Sequence, residues 1–196
     1  MSITTFLNKR GFNLFEGYSQ QIPQQVADLK QLTQNFKYNV MEIGFNAGHS
    51  AEVFLHNNKN LLLTSFDLGG HEYVSHAKEY IDVYYPNRHT LILGDSVITI
   101  PKFIQENVNT KFDIIFIDGG HDYETAKADM ENCFHLAHKD TIVILDDTVF
   151  VSGWEQLYTI GPTKVWTEHL FNNKIIELAR KNYCHGRGMS WGKYIM

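Results

Sequence analysis

Short apolar runs alternate along this chain with polar stretches of helical period. The runs are Tyr38–Ile43, Leu61–Phe66, Thr90–Leu93, Phe112–Ile117 and Thr141–Leu145, and each is followed at once by Gly or Asp. Continuous apolar strands of this kind are buried on both faces, as in a parallel sheet. Between them, Val74, Ala77, Ile81 and Tyr84 form one amphipathic stripe, and Ala126, Met130, Cys133 and Ala137 form another. Strands alternating with helices predict an α/β fold, doubly wound, with right-handed crossovers. Ahead of the first strand, Ile22, Val26, Leu29, Leu32 and Phe36 predict an added helix. Beyond the fifth, Trp154–Arg180 reads as mostly helical or irregular, and Met189–Ile195 as a last strand entered through Gly186-Arg187-Gly188. The expected organisation is one domain over 1–196, with a helical cap to 37, a core over 38–148, and a second cap with terminal strands from 149.

In an open α/β sheet, ligands bind beyond the carboxyl ends of the strands. Those ends carry Glu42 and Gly44, then Asp67, then Gly94, Asp95 and Ser96, then Asp118 and His121, then Asp146 and Asp147. A lone Asp at a strand end is a turn residue or a cap; five such ends in succession predict a site. Gly44 allows a sharp turn and Gly48 a close backbone approach before the helix expected from Ser50. Their Gly-x-x-x-Gly spacing departs from the Gly-x-Gly-x-x-Gly of dinucleotide sites, which opposes a nicotinamide-dependent oxidoreductase. Glu42, just before the glycine, suits a cationic ligand end better than phosphates.

Composition narrows the field. The chain has 196 residues, a formal charge of -5 and a pI near 6.0, so it carries no basic field for a phosphate backbone, and general nucleic-acid binding is disfavoured. Two cysteines give no disulfide framework, no signal peptide is read at the N-terminus, and no apolar run is long enough for a membrane span. A cytoplasmic protein with no membrane partner is expected.

The segments Glu42-Ile-Gly-Phe-Asn-Ala-Gly-His-Ser50, Ser65-Phe-Asp67, Gly94-Asp-Ser96, Phe116-Ile-Asp-Gly-Gly-His-Asp-Tyr-Glu124 and Leu145-Asp-Asp-Thr148 together resemble class I S-adenosylmethionine (SAM)-dependent methyltransferases. The likeness is to the small O-methyltransferase group that includes catechol O-methyltransferase-like and cephalosporin-hydroxylase-like proteins. It implies a Rossmann-like, mostly parallel seven-stranded sheet with helices on both faces and an antiparallel last strand. It also implies a SAM site: Gly44, Phe45, Asn46, Gly48, His49 and Ser50 around the methionine part, with Glu42 near its ammonium. Asp67 would take the ribose, Asp95 and Ser96 the adenine side, and Asp118 would face the cofactor. Ser96 reads equally well as a helix N-cap.

Asp118, Asp146 and Asp147 end two neighbouring strands and can converge on a divalent cation such as Mg²⁺. The metal-dependent relatives have Asp, Asp and Asn there, so Asp147 is a departure. His121 stands where those relatives place a catalytic lysine, and it is the expected general base beside Asp118. The plainer reading of His121 is a bond to Asp147 or the start of a helix. Trp154, Tyr158 and Trp166 are candidates for an aromatic acceptor pocket, or else for core or homodimer contacts. Arg187 is a candidate clamp for an anionic substrate. Asp129 and Glu131 read as a solvated helix face, and Glu124 as a helix-start carboxylate. The expected activity is O-methylation of a small hydroxylated molecule; a SAM-binding module without turnover is the alternative from a different class.

Overall fold

The structure, a computed structural model, describes residues 1–16, 18–34 and 39–196. Phe36 and Tyr38 of the sequence reading lie outside these. Five strands follow the apolar runs: β1 (Asn39–Ile43), β2 (Leu62–Asp67), β3 (His89–Leu93), β4 (Phe112–Ile117) and β5 (Ala137–Asp146). Helices alternate with them: α1 (Ile3–Asn8) and α2 (Pro23–Thr33) before the first strand, then α3 (His49–Asn57), α4 (Tyr73–Tyr84), α5 (Ser96–Glu106), α6 (Tyr123–Phe134) and α7 (Leu157–Phe171). Two more strands close the chain, β6 (Ile175–Tyr183) and β7 (Arg187–Tyr194).

All seven strands form one sheet, in the order β3-β2-β1-β4-β5-β7-β6. The first five are parallel, and β7 is antiparallel to both β5 and β6. The order reverses between β1 and β4, which opens a crevice at their carboxyl ends. Gly44 shows how closely those ends approach: its φ is +93°, and a Cβ there would stand 1.8 Å from the Asp118 carbonyl oxygen. Only glycine meets both conditions.

Side-chain alternation sends β1 and β4 into two cores. Val40, Ile114 and Phe116 face the layer with α1, α3 and α4, while Met41, Ile43, Ile115 and Ile117 face the layer with α5, α6 and α7. Glu42 shares the parity of Val40, so it points into the first core.

The stretch read as mostly helical or irregular holds α7 as expected, and from Ile175 it also holds a strand. β6 was hidden because it lies at the sheet edge and interrupts its apolar residues with Glu177, Arg180 and Lys181, without the continuous run of an inner strand. The glycine-flanked tail forms β7 as expected, two residues earlier than Met189. Its register sets Ser190 opposite Leu145 and Met189 opposite Asp146, which carries Arg187 to the end of β5.

Candidate active-site cleft

A cleft of about 760 Å³ spans the carboxyl ends of β1 to β5. That is room for a nucleoside cofactor together with a small second molecule. Gly44, Asn46, Asp67, Asp95, Ser96 and Asp118 line it, as do His121 and Asp147. The Asp67 carboxylate is held by two backbone amides: Asn46 N–H donates to Oδ2 (2.7 Å) and Gly69 N–H to Oδ1 (2.7 Å). Asn46 sits in the left-handed region at φ 49°, and its buried Oδ1 lacks a hydrogen-bond partner among the described residues. An orphaned acceptor between glycine turns fits a cofactor carrying donor groups.

Five of the residues expected around the cofactor do not line the cleft. Glu42 is fully buried behind it, accepting hydrogen bonds from Ser50 Oγ and from Ser65 Oγ (2.6 Å). Burial pushes its carboxyl up to about 7. Phe45 stacks on His89 with ring centroids 4.9 Å apart. His49 contacts Thr4 Oγ1 at 3.0 Å through Nε2, stacks on Tyr18, and is lowered by burial to about 4. Gly48 caps α3 at φ 74° and lies beneath Ile3, whose Cδ1 a Cβ would meet at 2.8 Å. Burial of these side chains comes from the strand parity of β1 and from the packing of α1 onto α3, and they shape the loop from behind. The helix start moves too: α3 begins at His49, one residue before Ser50. Asp95, not Ser96, is the N-cap of α5, accepting from Val97 N–H at 2.9 Å.

The acidic end of the cleft is tightly wired. Asp147 takes the left-handed conformation at φ 56°, tolerable for Asp, and so turns its carboxylate back over the end of β5. His121 Nε2 lies 2.9 Å from Asp147 Oδ2, and Arg187 Nε 3.1 Å from Oδ1. The Asp147 hydrogen bond raises the His121 pKa above its usual value. Burial, then the charges of Asp146 and Asp147, push Asp118 well above the carboxylate range. Tyr158 lines the cleft beside His121, their rings 5.7 Å apart.

Asp146 departs from its expected place. Gln25 Nε2, on α2, donates to both of its oxygens at 2.7 Å, and Arg187 Nη2 stands 4.0 Å from Oδ2. Burial raises its carboxyl to about 7. The trio that does converge is Asp118, His121 and Asp147, whose ligand atoms lie within 4.8 Å of one another. Their donor set, two carboxylates and an imidazole, fits a divalent ion; Asp146, turned onto Gln25, is outside it.

Other expectations are settled by burial. Trp166 is fully buried and donates to Glu177 Oε2 at 2.6 Å, and Trp154 does not line the cleft, so of the three aromatics only Tyr158 does. Arg187 is at the cleft but spends its charge on Asp147 and Asp146. Asp129 has no exposed surface, contrary to the solvated face expected, because α6 turns it onto the sheet; Glu131 is paired with Lys174 at the surface. Asp122 caps α6, and Glu124 stands in its first turn, the helix-start carboxylate expected. Gln25 went unnoticed in the sequence, and nothing in its local pattern marks it: it reaches Asp146 across 121 positions of chain.

A family profile described as a methyltransferase domain matches residues 41–148 of the chain. No curated protein sequence matches it significantly. Among solved structures, the O-methyltransferase from Bacillus cereus in complex with S-adenosylhomocysteine (SAH) is similar, at 16% identity and TM-score 0.74, over 97% of this chain and 88% of the other. The O-methyltransferase TomG from Streptomyces achromogenes, involved in tomaymycin synthesis and solved with SAM, is similar at 11% identity and TM-score 0.75, over 99% and 88%. The TDP-rhamnose 3'-O-methyltransferase of calicheamicin biosynthesis is similar at 18% identity and TM-score 0.64, over 87% and 77%. At these identities the likeness is one of fold. Among the described residues, no helix is long and apolar enough to cross a membrane.

Proposed function

We propose, from the premise that this chain belongs to the methyltransferase-domain family and is a SAM-dependent methyltransferase, that it methylates a hydroxyl oxygen of a small molecule. The carrying observation is the His121–Asp147 pair at 2.9 Å, with the His121 side chain 44% exposed at the cleft, open to an acceptor. The similarity to O-methyltransferase structures supports the same choice of atom.

When bound, SAM supplies a methyl on a sulfonium sulfur; the C–S bond breaks as the O–C bond forms, and SAH leaves. Asp67 takes the ribose hydroxyls, and Asp95 and Ser96 take the adenine end. Gly44 lets the chain turn without filling the space between β1 and β4. The carboxylates along the cleft suit a cationic sulfonium. His121 accepts the acceptor's hydroxyl proton, and Asp147 orients the ring and stabilises the imidazolium. Tyr158 forms an aromatic wall beside the base. Most of the rate comes from holding the reacting atoms in line.

A metal-assisted form of this reaction is supported by the convergence of Asp118, His121 and Asp147. These three would hold a divalent ion, which when bound supplies a Lewis acid that lowers the hydroxyl pKa. His121 is then a ligand and not the base.

Calorimetry with SAM and SAH tests the cofactor, and transfer of labelled methyl to a panel of phenols, catechols, sugars and hydroxy acids tests the reaction. Both run with chelator and with Mg²⁺ or Mn²⁺. Activity in chelator assigns His121 as base; activity only with metal assigns the metal-assisted form. SAM binding without transfer to any acceptor identifies a binding module, and no binding of SAM or SAH sinks the reading.

A further inference from the structure

A second cavity, of about 460 Å³, opens between α2, α3 and α4 and shares no lining residue with the cleft. Its charges are sorted to opposite ends. At one end is Glu52 on α3, partly buried, whose carboxylate accepts from Ile3 N–H (3.0 Å), Tyr80 O–H (2.6 Å) and Gln20 Nε2 (3.0 Å). These donors are neutral and hold the carboxylate in place; among the described residues no cation pairs with it. At the other end are His56, one turn further along α3, and Lys30 on α2. Asn57 Nδ2 donates to Lys30 O at 2.7 Å, which sets the end of α2 beside that turn. Neither the Lys30 ammonium nor the His56 ring has a partner among the described residues. Glu52 and His56 stand at i, i+4, the spacing at which helical pairs close, yet they stay apart. Between the two ends the wall is apolar: Val26, Val53 and the rings of Tyr80 and Tyr84, whose centroids lie 4.4 Å apart.

We propose that this cavity is a second ligand site, for an α-amino acid with an aromatic side chain. Glu52 takes the ammonium, Lys30 and His56 take the carboxylate, and the valines and tyrosine rings take the side chain. One helical turn rises about 5.4 Å, so a single α-amino acid reaches both ends. A phosphate-bearing ligand would meet Glu52, and a simple organic cation would meet Lys30. A zwitterion satisfies both charges. The inference uses none of the residues of the cleft and is independent of the SAM reading.

The test is a titration of the full chain with L-phenylalanine, followed by the NMR methyl signals of Val26 and Val53, which should shift and saturate. Phenethylamine lacks the carboxylate of phenylalanine and 3-phenylpropanoate lacks the ammonium; each should bind weaker by about tenfold or more. Lys30→Met should weaken phenylalanine and leave phenethylamine unchanged. Glu52→Gln should weaken phenylalanine and leave 3-phenylpropanoate unchanged. A cavity that merely takes up apolar molecules would treat the three compounds alike. Equal affinities, no saturable shift at Val26 and Val53, or a Lys30→Met variant that binds phenylalanine as the wild type does overturns the inference. Lys30 lies at the surface, so its variant decides the matter even where Glu52→Gln fails to fold.

Discussion

His121 and Asp147 meet at 2.9 Å, Nε2 to Oδ2, and so tie the loop after β4 to the turn after β5. The same carboxylate meets Arg187 Nε at 3.1 Å through its other oxygen, so three segments distant in sequence fix one imidazole. The hydrogen bond from Asp147 is the largest influence on His121 and raises its pKa. Asp147→Asn should therefore lower the His121 midpoint, read from its ring protons in an NMR titration run with chelator. His121→Ala should cut methyl transfer in chelator by about a hundredfold or more, with SAH affinity within about twofold. Transfer that survives His121→Ala removes the residue from proton transfer.

Glu42 gives a pH signature of stability. Its folded pKa of about 7 lies above the ordinary 4.5, because burial disfavours the charge. The folded state thus binds the extra proton. The stabilisation is full below about pH 4.5 and is lost as pH rises through about 7, by roughly 3 kcal/mol at most. Glu42→Gln should shrink the fall in melting temperature between pH 5 and pH 8. An unaltered profile would mean that Glu42 titrates normally.

Gly44→Ala should be among the most damaging single substitutions in the chain. It combines φ +93° with a Cβ 1.8 Å from the Asp118 carbonyl, and backbone cannot yield as a side chain can. A loss of more than about 3 kcal/mol is expected by denaturant unfolding, with SAH binding lost in whatever folds.

Gln25→Leu tests the brace on Asp146. Both oxygens of that buried carboxylate accept from Gln25 Nε2, and Arg187 Nη2 stands 4.0 Å away. Removing the donor should cost about 1–3 kcal/mol at pH 8. Because Asp146 is outside the converging trio, divalent-ion binding by calorimetry should change little.

The order of apolar runs and strand-end carboxylates made the first five strands, the switch point and most of the cleft floor legible: Gly44, Asp67, Asp95 and Asp118 are all found there. Strand β6 was not legible, because an edge strand alternates and carries charges. Asp129 was misread because a carboxylate in a helical stripe says nothing about which face the sheet will cover. The resemblance assigns Glu42, Phe45 and His49 to the cofactor, while strand parity and the packing of α1 send their side chains into the core.

Sequence by itself determined what repeats locally: apolar runs that must be buried on both faces, glycines where the backbone must turn, and carboxylates at successive strand ends. The tertiary structure decided which of those carboxylates share a point. Asp118, His121 and Asp147 converge because β4 and β5 are neighbours and Asp147 turns into the left-handed region. Asp146 is turned away because α2 sets Gln25 against it, and Arg187 arrives because β7 runs antiparallel to β5. Charge partners chosen across such long stretches of chain are fixed by packing and register, and those are properties of the assembled sheet.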